Sequence, residues 1–153
     1  MGFMSALKSA FASGAKELNK EYGKTNDFLG GVTASCALVI YADGNAEESE
    51  KKKAMDVLTG HTQLASLYPR QAIESALSSA LSHAQTASGK QELARQLDAI
   101  LSLPNGAQMA EDVYLVALDC ASANSRHEVG EDEQKVLNKL ANRLHVDPTK
   151  FEF

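Results

Sequence analysis

Apolar residues recur at helical spacing along almost the whole chain, and no stretch alternates in the manner of a half-buried strand. The segment 32–42 (VTASCALVIYA) is apolar nearly all round, which predicts a central helix that is buried on every side. Short helices with short connections are typical of helical bundles. The pattern therefore predicts an all-α, single-domain bundle of about seven helices over residues 1–153.

Local signals divide this pattern into individual helices. A first amphipathic helix is predicted at about 3–22, from apolar residues four or seven positions apart. Pro and Ser residues mark later helix starts, and a Pro-Asn-Gly turn marks a connection. In chain order, the predicted features are a helix from about Glu47 to Gly60, a helix start at Pro69, a capping box of Ser88 with Gln91, a turn at 104–106, a helix through 136–144 and a short terminal turn ending at Phe151.

The chain contains a weak internal repeat. Sliding it by 83 residues superimposes two helix–turn–helix units, at about 28–60 and 111–145, which share apolar positions and a Glu-x-Glu. Each unit alone would expose an apolar face, so the simplest solution packs the two halves together. Among the matched positions, Val32 falls on Leu115, Glu48 on Glu131 and Glu50 on Glu133.

Each unit contains an acidic connection between its two helices, which we call the first elbow (residues 43–50) and the second elbow (residues 126–133). In the first elbow, Glu50 lies four positions before Ala54, and Glu47 lies three positions before Glu50, so both extend the apolar face of the following helix into its first turn. Asp43 ends the preceding helix and can meet them. Glu133 holds the same place in the second elbow.

Converging carboxylates and turn carbonyls are the ligands of hard cations such as Ca²⁺ or Mg²⁺. The predicted metal ligands are Asp43, Glu47, Glu50 and Glu133. The alternative is structural: acidic residues are favoured in the first turn of any helix, and Asn45 with Glu48 has the spacing of a capping box. The spacing is not that of an EF-hand loop.

The second elbow has diverged from the first. Arg126-His127 stands where the first elbow has Asp43-Gly44. A guanidinium there can neutralise Glu131 and Glu133 without a metal. The first elbow is therefore the better predicted cation site, and His127 is the histidine to test for a role in metal binding or pH response.

Composition narrows the function classes. The apolar content of 44% supports a core, and the net charge of −5 argues against a nucleic-acid partner. Cys36 and Cys120 do not form a C-x-x-C motif and lie in apolar stretches, so buried free thiols are expected. Neither a signal peptide nor a membrane-spanning run is recognisable, which makes the cytoplasm the default compartment. No tightly bound cofactor is predicted.

The N-terminal residues 1–24 carry a charge of +2, with lysines at positions 8, 16, 20 and 24 beside an apolar stripe. Such a helix can rest weakly on an anionic membrane surface. The alternative, which is favoured, is simple docking onto the bundle. The Lys51-Lys52-Lys53 run is interpreted as a solvated helix face.

Catalysis has little support in the sequence. The four histidines are scattered, and neither a nucleophile–base grouping nor a Gly-rich phosphate loop can be argued from spacing. His61 is expected to be a partly buried structural residue on the inner stripe of a helix. The chain is therefore predicted to be a non-enzymatic binding module, with a metal-dependent hydrolase or other metalloenzyme using the acidic elbow as the alternative.

Four segments together resemble one known family. They are the opening GFMSALKSAFASGAKELNK, the segment VTASCA, the first elbow in YADGNAEESEKKKAM, and the second in HEVGEDEQKVLNKLANRLHVDPTKF. A helix that ends in Asp-Gly, with a Glu seven residues after that Asp, is the motif of the tellurite-resistance protein TerB family, which this chain resembles over nearly its whole length.

The resemblance implies an all-helical protein with an acidic, cation-binding surface. It also implies a role in resistance to tellurite, phage or colicins, through cytoplasmic complexes linked to a membrane partner of the TerC type. Of the family's acidic positions, Asp43, Glu50 and Glu133 are present here. Arg126 departs from the family pattern, which puts a second, equivalent metal site in doubt.

Overall fold

A computed structural model describes residues 22–23, 25–44, 46–121 and 130–151 of the chain. Within these ranges the protein is an all-α bundle without strands, as the sequence predicts. In chain order the helices are α1 (Asp27–Ile40), α2 (Glu48–Thr59), α3 (Thr62–Leu67), α4 (Arg70–His83), α5 (Ala87–Leu101), α6 (Gly106–Ala121) and α7 (Glu131–Arg143), followed by a 3₁₀ turn at Pro148–Phe151.

Helix α1 is the centre of the bundle. Eleven of its fourteen residues are buried, because α2, α4, α5, α6 and α7 all pack against it. The predicted central helix is therefore confirmed, although it begins at Asp27 rather than near Val32. A helix that is apolar on every face can only be accommodated in this way, since any face left outside would expose Val, Leu or Ile side chains to water.

The close packing of α1 depends on a missing side chain at Gly31. A Cβ atom at this position would overlap Cδ1 of Ile100 on α5 and approach Cγ2 of Val113 on α6 to 3.2 Å. Its neighbour Gly30 differs, because a Cβ there would meet only Oε1 of Gln96, at 3.4 Å. Gly31 therefore lets three helices approach one another, whereas Gly30 leaves room for a methyl group.

These two glycines give a matched pair of substitutions. We expect Gly31→Ala to lower the free energy of unfolding by about 1–3 kcal/mol, because an added methyl group overpacks the core. We expect Gly30→Ala to raise it by up to about 1 kcal/mol, because alanine is the better helix former. Urea denaturation followed by circular dichroism measures both. Equal effects of the two substitutions would contradict the described packing.

A disulfide joins Cys36 of α1 to Cys120 of α6. Both residues are buried, as the sequence predicts, but the expectation of free thiols is wrong for this structure. The sequence could not pair them because 84 residues separate the two cysteines. Only the packing of α1 against α6 brings their Cα atoms to 6.0 Å, a distance that a disulfide can span.

Helix starts confirm one predicted signal and correct another. Pro69 precedes α4 as expected. Helix α5, however, is capped by Thr86, whose hydroxyl accepts a hydrogen bond from the Gly89 N–H at 3.0 Å. The predicted capping box of Ser88 with Gln91 is therefore wrong, because the helix begins two residues earlier than the box requires.

Tyr22 is fully buried against the ring of Phe28. The Tyr22 hydroxyl donates a hydrogen bond to Oδ2 of Asp112 on α6 at 3.0 Å. The Tyr68 hydroxyl in turn donates to the Tyr22 carbonyl at 2.7 Å. Burial raises the pKa of Asp112 to about 6, although the bond from Tyr22 opposes this and the Glu111 charge adds to it.

The raised pKa of Asp112 makes stability depend on pH. Folding raises the pKa of the Asp112 carboxyl from 3.8 to about 6. The stability that the protonated carboxyl contributes is fully present below pH 3.8 and is lost as the pH rises through about 6. In the unsubstituted protein, ionisation of Asp112 should lower the free energy of unfolding by on the order of 3 kcal/mol between pH 4 and 7.5. We expect Asp112→Asn to abolish this decline.

Guanidinium denaturation across this pH range measures the effect. Asp98→Asn is a control in which the free energy of unfolding should depend on pH in the opposite direction. Arg143 lowers the pKa of Asp98, so the stability that the ionised Asp98 contributes is lost as the pH falls. A pH profile of the Asp112→Asn variant that runs parallel to that of the unsubstituted protein would contradict the assignment.

Several predictions lie outside the described residues. They are the amphipathic helix up to Glu21, the Asn45 cap, Lys24 and the Arg126-His127 pair. In the ranges that are described, none of the helices is long and apolar enough to cross a membrane.

Candidate acidic site between the two elbows

The first elbow holds Glu50 by a backbone hydrogen bond. Glu47 is the extended residue before α2, and its N–H donates to Oε1 of Glu50 at 3.1 Å. This is the capping-box arrangement, in which the third residue of a helix reaches back to its start. The assignment of this role to Glu48 is wrong, because its exposed carboxylate instead contacts Nζ of Lys51 at 3.4 Å.

Glu133 is held in the same way at the start of α7. Gly130 is the extended residue before this helix, and its N–H donates to the Glu133 carboxylate. The two groups are so close that a Cβ at Gly130 would lie 2.9 Å from Oε1 of Glu133. Glu50 and Glu133, which the predicted repeat equates, therefore both fold back onto the first turn of their helices.

These two carboxylates meet at one small cavity. The cavity, of about 70 Å³, lies where α1 and α6 end and α2 and α7 begin. Its walls are mostly apolar, with two acidic side chains and one basic side chain among them. The lining residues are Val39, Ile40, Glu50, Lys53, Ala54, Cys120, Ala121 and Glu133. The packing of α1 against α6 thus places acidic residues from both elbows in one site.

Acidic groups of the first elbow act electrostatically on Glu133 of the second elbow. The pKa of Glu133 is raised, chiefly by burial and further by the negative charges of Glu50 and Asp43, while the Gly130 N–H opposes the increase. Asp43 stands on the turn after α1, where Gly44 adopts a positive φ of 86°. Two of the predicted ligands in the first half of the chain, Asp43 and Glu50, therefore lie near enough to raise the pKa of Glu133 in the second half.

Glu47 does not join this group. Its side chain is exposed and does not line the cavity, and its backbone instead positions Glu50. As the side chains stand, no three His, Cys, Asp or Glu residues in the described ranges lie close enough together to hold one metal ion. The site is therefore a pair of carboxylates facing one cavity, with Asp43 nearby, rather than a closed coordination shell.

Lys53 is a member of the site that the sequence analysis missed. The sequence predicts a solvated face for the run of three lysines, and Lys53 is exposed. Its position three residues after Glu50 places both side chains on the same side of α2. That spacing was a signal of their proximity. Lys51 differs again, because it is half-buried with its Nζ 5.8 Å from the ring centre of Tyr41.

Other candidate groups remain separate from this site. His61 is half-buried, as expected, but it precedes α3 rather than lying on a helix stripe. Its Nε2 lies 3.7 Å from Oδ2 of Asp119 on α6. No arrangement in the described part of the chain favours the alternative of a metal-dependent hydrolase.

The coupling between the elbows can be measured directly. We expect Glu50→Gln to lower the pKa of Glu133, because the substitution removes one of the negative charges that raise it. Glutamine keeps the oxygen that accepts the Glu47 N–H, so the helix start is preserved. NMR titration of the Glu133 side-chain carbonyl measures the shift. Glu48→Gln is the matched control and should leave this pKa unchanged; equal shifts would contradict the geometry.

Comparison with known protein families gives a match. The model of a family described as "Tellurite resistance protein TerB" matches residues 30–153, which include all seven helices except the first three residues of α1. Neither a curated protein nor a solved structure matches the chain.

Proposed function

The chain belongs to the TerB family of tellurite-resistance proteins, and we propose that it is a non-enzymatic binding module whose acidic site takes up a divalent cation, Ca²⁺ or Mg²⁺. The observation that carries this proposal is the meeting of Glu50 and Glu133 at one cavity, close enough for Glu50 and Asp43 to raise the pKa of Glu133.

The chemistry of the donors favours a hard cation. All three acidic groups offer carboxylate oxygens, which Ca²⁺ and Mg²⁺ prefer, and none of the described residues that line the cavity is a histidine, a ligand typical of softer metals. When bound, the cation would supply positive charge that offsets the repulsion among Asp43, Glu50 and Glu133. Its binding would require these side chains to move closer together than they now stand, and Ca²⁺, with its tolerant geometry, suits such a site better than Mg²⁺.

Family membership supports the cellular part of the proposal. We propose that the protein contributes to resistance against tellurite, phage or colicins, in complexes at the cytoplasmic face of the membrane with a partner of the TerC type. The Cys36–Cys120 disulfide is then expected to form under oxidising conditions, since reducing compartments keep thiols unpaired.

A calorimetric titration tests the cation site. We expect the purified protein to bind Ca²⁺, and we expect Glu50→Gln with Glu133→Gln to weaken binding by at least about tenfold, because two of the oxygen donors lose their charge. The matched control is Glu48→Gln with Asp132→Asn, which removes the same charge from exposed residues in the first turns of the same two helices.

Equal weakening by both double variants would show that only the overall charge matters and would refute a specific site. Absence of binding by the unsubstituted protein would refute the cation proposal altogether. The same variants can be used in pull-downs from bacterial membranes with and without Ca²⁺. If neither Ca²⁺ nor the Glu50→Gln/Glu133→Gln variant changes which partners are captured, partner assembly does not depend on cation binding.

A further inference from the structure

A second surface feature lies beside the acidic site, on another side of α1. It is a groove of about 500 Å³ with α1 as its floor and with α5 and α7 as its walls. We call it the α5–α7 groove. Its lining residues are Leu38, Tyr41, Ala42, Lys90, Gln91, Ala94, Leu97, Val136, Lys139, Leu140, Asn142 and Arg143.

The groove extends over two helical turns. Lining positions on α5 run from Lys90 to Leu97, and those on α7 run from Val136 to Arg143, both at spacings of about three and four. Two turns correspond to a length of about 10 Å. Leu38 and Val136 are only partly buried, so the floor and one wall offer apolar surface to a ligand. This elongated shape suits the apolar stripe of another helix.

The rim of the groove is basic in a protein that is acidic overall. Arg143 is neutralised, because its guanidinium donates two hydrogen bonds to Asp98 at 2.8 and 2.9 Å and so links α7 to α5. Lys90 and Lys139 differ: in the ranges that the structure covers, neither forms an ion pair. An apolar floor between two uncompensated lysines is a combination that favours a ligand with both apolar and acidic groups.

We propose that the α5–α7 groove binds an amphipathic, acidic helix of a partner protein. Apolar side chains of that helix, spaced over two turns, would cover Leu38 and Val136. Its carboxylates would pair with Lys90 and Lys139 at the rim. The inference rests on the proposed role as a binding module but does not involve the cation site.

Two parts of the chain itself are alternative occupants of the groove: the N-terminal segment 1–21 and a second copy of the protein. Their charge and burial favour the acidic partner helix over both. The N-terminal segment 1–21 is apolar in part, but it carries three lysines against two glutamates, so the lysine rim would repel it. A second copy offers its acidic elbows, yet the apolar residues of α2 behind the first elbow, Ala54 and Leu58, are already buried. The charge of segment 1–21 thus does not match the basic rim, and the described apolar residues behind the first elbow of a second copy are not exposed.

A synthetic peptide provides the probe. It is a fluorescein-labelled helix of about five turns, with leucines along one face and glutamates elsewhere. We expect it to raise fluorescence anisotropy on binding and to shift the amide NMR signals of the groove residues, such as Leu38 and Val136. A peptide with lysines in place of the glutamates, and one with serines in place of the leucines, should both bind at least about tenfold more weakly.

Charge reversal on the protein tests the location. We expect Lys90→Glu with Lys139→Glu to weaken binding of the acidic peptide by at least about tenfold. The matched control is Lys52→Glu with Lys135→Glu, which reverses two exposed lysines outside the groove and should change binding less than about twofold. Ala94→Trp, which fills the groove without altering charge, should also abolish binding, with circular dichroism verifying that the variant is folded.

Three results would overturn the proposal. One is no binding of the acidic peptide up to about 1 mM. Another is equal loss in the groove and control variants, or NMR shifts that lie elsewhere. The third is concentration-dependent self-association that shifts the groove signals, since this would identify a second copy as the occupant. Adding a chelator separates the two proposals, because peptide binding should persist without Ca²⁺ even where cation binding is lost.

Discussion

The burial of α1 on all sides is the constraint on which the rest of the bundle depends. Exposing any face of a helix rich in Val, Leu, Ile, Ala and Cys to water would cost free energy. Five other helices pack around α1 and bury these side chains. Gly31 allows α5 and α6 to approach it closely, and the Cys36–Cys120 disulfide ties it to α6. Because α1 and α6 lie together, Glu50 and Glu133, at the helix starts that follow them, also come together.

The acidic site results from this arrangement and from ordinary helix-capping chemistry. Glu50 and Glu133 each accept a hydrogen bond from the backbone N–H that precedes their own helix. Such bonds, together with the helix dipole, stabilise a carboxylate in the first turn without any metal. The same two residues also face the shared cavity. A structural role therefore holds both carboxylates in place, and at the half-buried Glu133 the nearby charge of Glu50 adds to the effect of burial on the pKa.

The acidic site and the α5–α7 groove share two of their helices. Helix α1 contributes Val39 and Ile40 to the cavity and Leu38 to the groove, and Tyr41, which directly follows α1, also lines the groove. Helix α7 contributes Glu133 near its start and a row of later residues further along. The two features have opposite charge, so they suit ligands of different kinds. A partner and a cation can thus occupy neighbouring surfaces without competing for the same groups.

The sequence by itself determined the helical class, the buried central helix and the two acidic helix starts, because these depend on local periodicity and composition. It also predicted Asp43, Glu47, Glu50 and Glu133 as metal ligands, and this stays a prediction. The tertiary structure decided which capping bonds form, that Glu47 stays outside the cavity, and that Lys53 belongs to it. It alone paired Cys36 with Cys120 and opened the α5–α7 groove, since both depend on how distant helices pack, which no local pattern specifies.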